Sequence, residues 1–267
     1  MLLTPSAVSP EIMFTDTARY PYLIGGIQIG LCGVVKDGDN EGFPTGTLGM
    51  IVLNKNTGNR AILSNHHVLY GKPSYVPTAD PRVSQPAPTS VPPDGQPYPN
   101  VCARATNGYF GTYQYDGKPY HIDAAVADLT RDDVGRYTRQ SSSRISNKFM
   151  VPELRVARLG ARVWKVGAET GLTYGIVARL EADALGADKP NRMVIMSEND
   201  NPFAVQGDSG SVIVDEEERR VVGLLTGGFS EEEIRKSGEH LRRGAFACHI
   251  EPVIQKLNIE LLQLPVG

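Results

Sequence analysis

The chain has 267 residues, 40% hydrophobic and 21% charged, with 27 Lys and Arg against 30 Asp and Glu, a formal net charge of −3. That is ordinary globular composition with material for a substantial core, and the balance gives no electrostatic pull toward nucleic acid. No run approaches the ~18 apolar residues of a membrane helix, and the N-terminus lacks the basic start and long apolar segment of a signal peptide, so a cytoplasmic location is expected.

The three cysteines, Cys32, Cys102 and Cys248, are odd in number and far apart. They show no metal-ligand spacing and read as free, buried thiols of a reducing compartment, the alternative being one disulfide plus one free thiol. No metal or cofactor is expected.

Residues 1–22 carry Pro5, Pro10 and Pro21 and read as an N-terminal arm. Leu23 to Gly30 looks like a first strand. Thr45 to Leu53, the turn-rich Asn54 to Asn59 and Arg60 to Asn65 form a hairpin that ends at His66-His67. Residues 71–100 are rich in proline and are expected to form an ordered rim beside the site with little regular structure, the alternative being a domain linker. Strand pieces follow at 102–105, 108–111 and 121–129, and polar residues 130–153 suggest a connection.

In the second half, 163–167 and 173–180 pair around Gly171. A strand at 192–196 precedes Gln206-Gly207-Asp208-Ser209-Gly210-Ser211. Strands at 212–214 and 221–225 flank a charged tip, Asp215 to Arg220. Ser230 with Glu233 has the form of a capping box, which starts a short helix running to about Leu241. After a strand at 244–248, apolar Ile250, Val253, Ile254, Leu257, Ile259 and Leu261 predict a C-terminal amphipathic helix. Two clusters of short strands suggest two β-barrels rather than βαβ units. The divisions are an arm at 1–22, a first barrel at 23–135, a connection at 136–155, a second barrel at 156–250, and a helix and tail at 251–267.

A serine flanked by glycines has an exposed hydroxyl and backbone N–H groups free to meet a developing oxyanion. It needs a base and a carboxylate to orient the base. The chain supplies His67, Asp123 and Ser209 in that order, two from the first half and one from the second. His66 is the rival base, and Asp128 is the rival carboxylate, expected to be solvated. The pattern Gly-x-Ser-x-Gly of another serine hydrolase class is absent, because position 211 is Ser.

These segments resemble the chymotrypsin-like serine proteases, closest to bacterial-type members without structural disulfides. The likeness rests on Ser64-Asn65-His66-His67-Val68, Ile122-Asp123-Ala124-Ala125-Val126 and Gly207-Asp208-Ser209-Gly210, with Leu23-Ile24-Gly25-Gly26, Thr45 to Gly49, and Lys165 to Gly175 in support. It spans roughly residues 23 to 262. It implies an all-β fold of two antiparallel six-stranded barrels with a C-terminal helix. It also implies a serine endopeptidase making limited cuts in a protein or peptide substrate, which could be a dedicated target. The alternative is a non-catalytic scaffold of the same fold that binds protein.

By the same resemblance His67 is the base, Asp123 its orienter, Ser209 the nucleophile, and the N–H groups of Gly207 and Ser209 the oxyanion hole. Phe203, Gln206, Thr226, Gly227, Gly228 and Gly244 would bind substrate. Phe203 stands where relatives that cut after Lys or Arg have an acid, so an uncharged residue is expected before the scissile bond. The 229–243 insert is either a lid or exosite, or a surface helix without a role. Cleavage before Ile24 could free a terminus to pair with Asp208, but the uncut chain is expected to be active.

Overall fold

The computed structural model describes residues 18–37, 40–71, 80–130, 144–145, 148–149, 151–182 and 189–262. Most of the expected arm and connection lies outside them. The strands of the first half are β1 (Gln28–Leu31), β2 (Val35–Asp37), β3 (Asn40–Gly42), β4 (Thr45–Thr47), β5 (Met50–Asn54), β6 (Asn59–Ser64), β7 (Arg82–Ser84), β8 (Val101–Tyr115) and β9 (Lys118–Leu129). One turn of helix, α1 (His66–Leu69), follows β6. Then come β10 (Arg144–Ile145), β11 (Lys148–Phe149), β12 (Val151–Leu154), β13 (Arg162–Gly167), β14 (Gly171–Ala182), β15 (Arg192–Ser197), β16 (Val212–Asp215) and β17 (Arg220–Gly228). Helix α2 (Glu231–Ser237), a 3₁₀ turn at Glu239–Arg243, β18 (Gly244–His249), α3 (Ile250–Leu257) and β19 (Ile259–Leu261) complete the order.

Two sheets result. The first runs β19-β5-β6-β9-β8-β7-β1-β4. The second runs β12-β17-β16-β13-β14-β15-β18, and β17 also pairs with β18, so six of its strands close on themselves. Neighbours are antiparallel except β12, which adds to β17 in parallel.

The hairpin β5–β6 pairs Asn54 with Asn59 across the polar turn, as the pattern of residues 45–65 predicts. The capping box is formed: Ser230 accepts from the Glu233 N–H, and Glu233 reaches back to the Ser230 N–H. Three expectations need correcting. The pieces at 102–105 and 108–111 are one strand with a bulge between Ala105 and Asn107. The proline-rich segment contributes β7, whose Val83 pairs with Ala103 of β8. The C-terminal helix stops at Leu257, where Asn258 takes a left-handed conformation (φ 52°). Ile259 and Leu261 then form β19, which pairs with Asn54 and Val52 of the first sheet.

The core is partly shared. One cluster joins Met50, Val52, Ala61 and Leu63 of the first sheet to Trp164, Val166, Val212 and Val214 of the second, with Val253 and Leu257 of α3 wedged among them. Trp164 is the chain's one tryptophan and is 2% exposed in that cluster. The two units should therefore unfold together. Tryptophan fluorescence and far-UV circular dichroism are expected to follow one urea transition, and two separated transitions would show independent units.

Candidate active site

The site is assembled where the end of β6, the middle of β9 and the loop before β16 meet. Asn65 leads the chain out of β6 into α1 and donates from Nδ2 to the Asp123 carbonyl at 2.7 Å. That bond ties the histidine turn to β9. His67 lies one residue into α1. Its Nδ1 is 2.6 Å from Asp123 Oδ2, and its backbone N–H donates to Asp123 Oδ1 at 3.1 Å. Burial of Asp123 would raise its pKa, but the contacts with His67 outweigh burial and hold it below the ordinary 3.8. Asp123 is thus ionised at neutral pH, and its hydrogen bonds select the His67 tautomer protonated at Nδ1, leaving Nε2 as an acceptor.

Ser209 sits on the facing loop. Its Oγ donates to the Thr226 carbonyl at 3.2 Å. His67 and Ser209 line one cleft of about 1000 Å³ between the two units. The backbone N–H groups of Gly207 and Ser209 donate to no protein acceptor among the described residues.

The loop's shape is imposed from both sides. Gly207 (φ 101°) and Gly210 (φ 94°) occupy a backbone region open to glycine. A Cβ at Gly210 would collide with Ser64 Oγ, and one at Gly207 with the side chain of Glu169. Thr47, from the first sheet, takes the Ser209 carbonyl on its N–H at 2.8 Å and donates from Oγ1 to the Gly207 carbonyl at 2.9 Å.

Asp208 is anchored from beneath, with no exposed side-chain surface. It accepts from Thr170 Oγ1 at 2.7 Å and from the N–H groups of Val205 at 3.0 Å, Glu169 at 3.0 Å and Thr170 at 3.1 Å. Lys165 Nζ, equally buried, lies 3.2 Å from its Oδ2. Burial pulls the Lys165 pKa down, and the Asp208 carboxylate opposes it. A freed N-terminus at Ile24 finds this carboxylate already supplied.

Of the remaining sequence-selected residues, Gln206, Thr226, Gly227 and Gly228 line the cleft. Phe203 does not: it is fully buried in the core of the second sheet with Val163, Ile195 and Ala245. Gly244 is buried behind Gly228, because Gly228 and Ala245 are ladder partners. The insert forms cleft wall through Phe229, Glu231, Ile234 and Arg242, so it is more than a surface helix.

His66 is stacked on Tyr70 with ring centroids 5.0 Å apart, and burial lowers its pKa. Asp128 is not solvated. It is 7% exposed and holds Asn54 at 2.8 Å, Asn59 at 3.1 Å and Thr106 at 3.0 Å. Sequence reasoning missed Thr47, Asn65, Thr170 and the pairing role of Lys165. It also missed Cys248, whose Sγ accepts from the Asp123 N–H at 3.4 Å and whose thiol burial pushes up to about 12. None of the three cysteines is in a disulfide, and all three are buried. Among the described residues no cluster of His, Cys, Asp and Glu could hold a metal, and no helix is long and apolar enough to cross a membrane.

The fold is the double β-barrel of the chymotrypsin-like serine proteases. Thermobifida fusca protease A superposes with a TM-score of 0.54 at 17% identity, covering 91% of this chain and 99% of that one. Nocardiopsis protease gives 0.54 at 17% identity, covering 90% and 98%. An α-lytic protease homolog, N4, gives 0.54 at 13% identity, covering 90% and 100%. At such identities the shared property is the fold. A family model described as the Nal1 C-terminal domain matches residues 153–264. No curated protein matches the chain.

The anchor beneath the loop has a measurable consequence. Lys165→Met leaves the Asp208 carboxylate buried without its cation. It is expected to cost about 3–5 kcal/mol in urea denaturation, the usual penalty for breaking a buried pair. A loss below about 1 kcal/mol would show that the backbone N–H donors suffice alone.

Proposed function

We propose that the chain is a serine endopeptidase that hydrolyses a peptide bond of a protein or peptide substrate through an acyl-enzyme. The observation that carries this reading is the 2.6 Å contact of His67 with Asp123 on a cleft shared with Ser209. The Ser209 hydroxyl rotates from the Thr226 carbonyl to His67, a side-chain rotation that takes picoseconds to nanoseconds. Its Oγ attacks the substrate carbonyl while His67 Nε2 takes the proton. Asp123, ionised, holds Nδ1–H and stabilises the imidazolium. The Gly207 and Ser209 N–H groups receive the oxyanion, each donor being worth about 10²–10³ in rate. His67 then protonates the leaving amine, and water repeats the sequence on the ester.

The residue donating the cleaved carbonyl is uncharged in this proposal. The apolar side chains lining the cleft include Pro202, Ala204, Val205, Phe229 and Ile234. The one carboxylate and one guanidinium of the insert that face the cleft bind each other, Arg242 Nη2 to Glu231 Oε2 at 2.8 Å. Limited cleavage of a dedicated protein target fits a cleft narrowed by that insert.

One observation favours a second reading, a protein-binding scaffold that does not cleave: the Ser209 hydroxyl is bonded to Thr226 and not to His67. Fluorophosphonate labelling separates the two. The chain should label. Ser209→Ala should abolish labelling, and Ser211→Ala should leave it, because Ser211 is fully buried with its Oγ on the Asp208 carbonyl. Absence of labelling sinks the hydrolase reading.

Asp123→Asn should lower kcat by about 10⁴, through the wrong His67 tautomer. Stability contributed by ionised Asp123 should be complete above its ordinary 3.8 and disappear as pH falls through its depressed folded value. Acid titration of the wild type against Asp123→Asn checks the sign. Intact mass of the labelled species should include residues ahead of Ile24, since Asp208 is paired internally with Lys165. Labelled protein starting only at Ile24 would show that activation requires a cut.

A further inference from the structure

The chain leaves β17, runs through the insert 229–243 and returns as β18, and the insert stands between two hollows. On one side is the cleft of Ser209, lined by Phe229, Glu231, Ile234 and Arg242 of the insert. On the other is a hollow of about 430 Å³, and Glu231, Ile234 and Arg242 line it as well. The rest of that hollow's lining, Arg235, Gly238 and Glu239, also belongs to the insert. Along the three shared residues the wall is therefore one side chain thick.

The two pieces of the insert are held unequally. The 3₁₀ turn is fastened to the second sheet. It packs on β15 and β18, Arg243 Nη1 donates to Asp200 Oδ1 at 2.9 Å, and the Arg243 carbonyl accepts from the Phe203 N–H at 3.2 Å. Helix α2 packs chiefly on that turn. Its apolar anchor is thin: Ile234 is 4% exposed but joins none of the core clusters among the described residues. The side chain that ties α2 to the turn is Arg242. Its Nη2 donates to Glu231 Oε2 at 2.8 Å, and its Nε donates to Glu239 Oε2 at 2.6 Å. A guanidinium on the fastened piece thus grips a carboxylate on the loose one. The pieces meet at Gly238 (φ 119°), where glycine gives the joint its freedom.

A segment with few buried apolar contacts opens at low cost, and an exposed ion pair weakens as salt screens it. We infer that α2 is a flap over the cleft, strapped shut by the grip of Arg242 on Glu231, and that bulky molecules reach Ser209 when the strap is released. The inference rests on the proposed function only in taking the cleft beside Ser209 as the place where substrate enters.

The test measures access without needing hydrolysis. The full chain carries Ser209→Cys, which puts a thiol in the cleft, while the three native cysteines are buried. Alkylation rates are compared for two uncharged reagents of one chemistry, small N-ethylmaleimide and bulky N-(1-pyrenyl)maleimide. Glu231→Gln, which keeps the size of the side chain and removes its charge, is expected to raise the bulky-to-small ratio about three- to fivefold, the scale of an exposed ion pair. It should also speed hydrogen exchange of the α2 amides. Raising sodium chloride from about 0.01 M to about 1 M, which shortens the screening length from about 30 Å to about 3 Å, should raise the ratio with Glu231 present and leave it flat in Glu231→Gln. Lys236→Gln is the control. It breaks the pair of Lys236 with Glu232, which lies within α2 and ties it to nothing else, so the ratio should stay put. Trp164 fluorescence confirms that each variant folds.

A ratio unmoved by Glu231→Gln, a ratio insensitive to salt, or an equal rise in Lys236→Gln overturns the inference. Fluorophosphonate labelling of the wild type is scored separately. A strap-dependent ratio without labelling sinks the hydrolase and keeps the flap, and labelling with a fixed ratio sinks the flap alone.

Discussion

A carboxylate with no contact with water must be satisfied entirely from within, and this requirement at Asp208 fixes the geometry around Ser209. Its oxygens gather Lys165, the Thr170 hydroxyl and three backbone N–H groups from two segments. Exposed pairs elsewhere, such as Lys118 with Glu181, are screened by water and add little. Removing one partner of a buried pair costs several times more. A path that pulled Asp208 off these donors would strand a buried charge, which disfavours other conformations of the loop. The pair is better read as a device for conformation than for net stability, because desolvating both ions offsets much of their attraction.

Thr47 completes the constraint from the other unit. Its N–H and Oγ1 hold the carbonyls of Ser209 and Gly207, turning those peptide oxygens toward the first sheet. The Ser64 hydroxyl in turn donates to the Thr47 carbonyl at 2.8 Å, one residue before the Asn65 that secures the histidine turn. A short relay of neutral hydrogen bonds thus couples the His67 side of the cleft to the Ser209 side. Each contributes about 1 kcal/mol, but together they set a relative position that neither sheet fixes alone.

The fold was largely legible because strand signals are local. The polar hexapeptide 54–59, the charged tip 215–220 and the Ser230–Glu233 box each announce a boundary through chemistry within a few residues. The C-terminal error has a physical cause. Ile259 and Leu261 suit a helical stripe and an alternating strand equally well, and only the left-handed Asn258 and the open edge of β5 decide between them. At the site, the types and order of His67, Asp123 and Ser209 stand out in the sequence. Thr47, Lys165 and Thr170 do not, since a threonine or lysine in a strand or turn gives no sign of a partner far along the chain. Phe203 was misjudged because distance along the chain from Ser209 does not say which face of the loop a side chain takes.

The closing of the first sheet by β19 bears on how the molecule is made. Residues 28–129 leave the ribosome long before 259–261, and until those emerge β5 has a bare edge and the shared core lacks Val253 and Leu257. The histidine and carboxylate are therefore synthesised early but positioned late. Whatever the cleft does must wait until β19 has been made, and a transcript truncated ahead of β19 would yield an unfinished sheet rather than a smaller working protein.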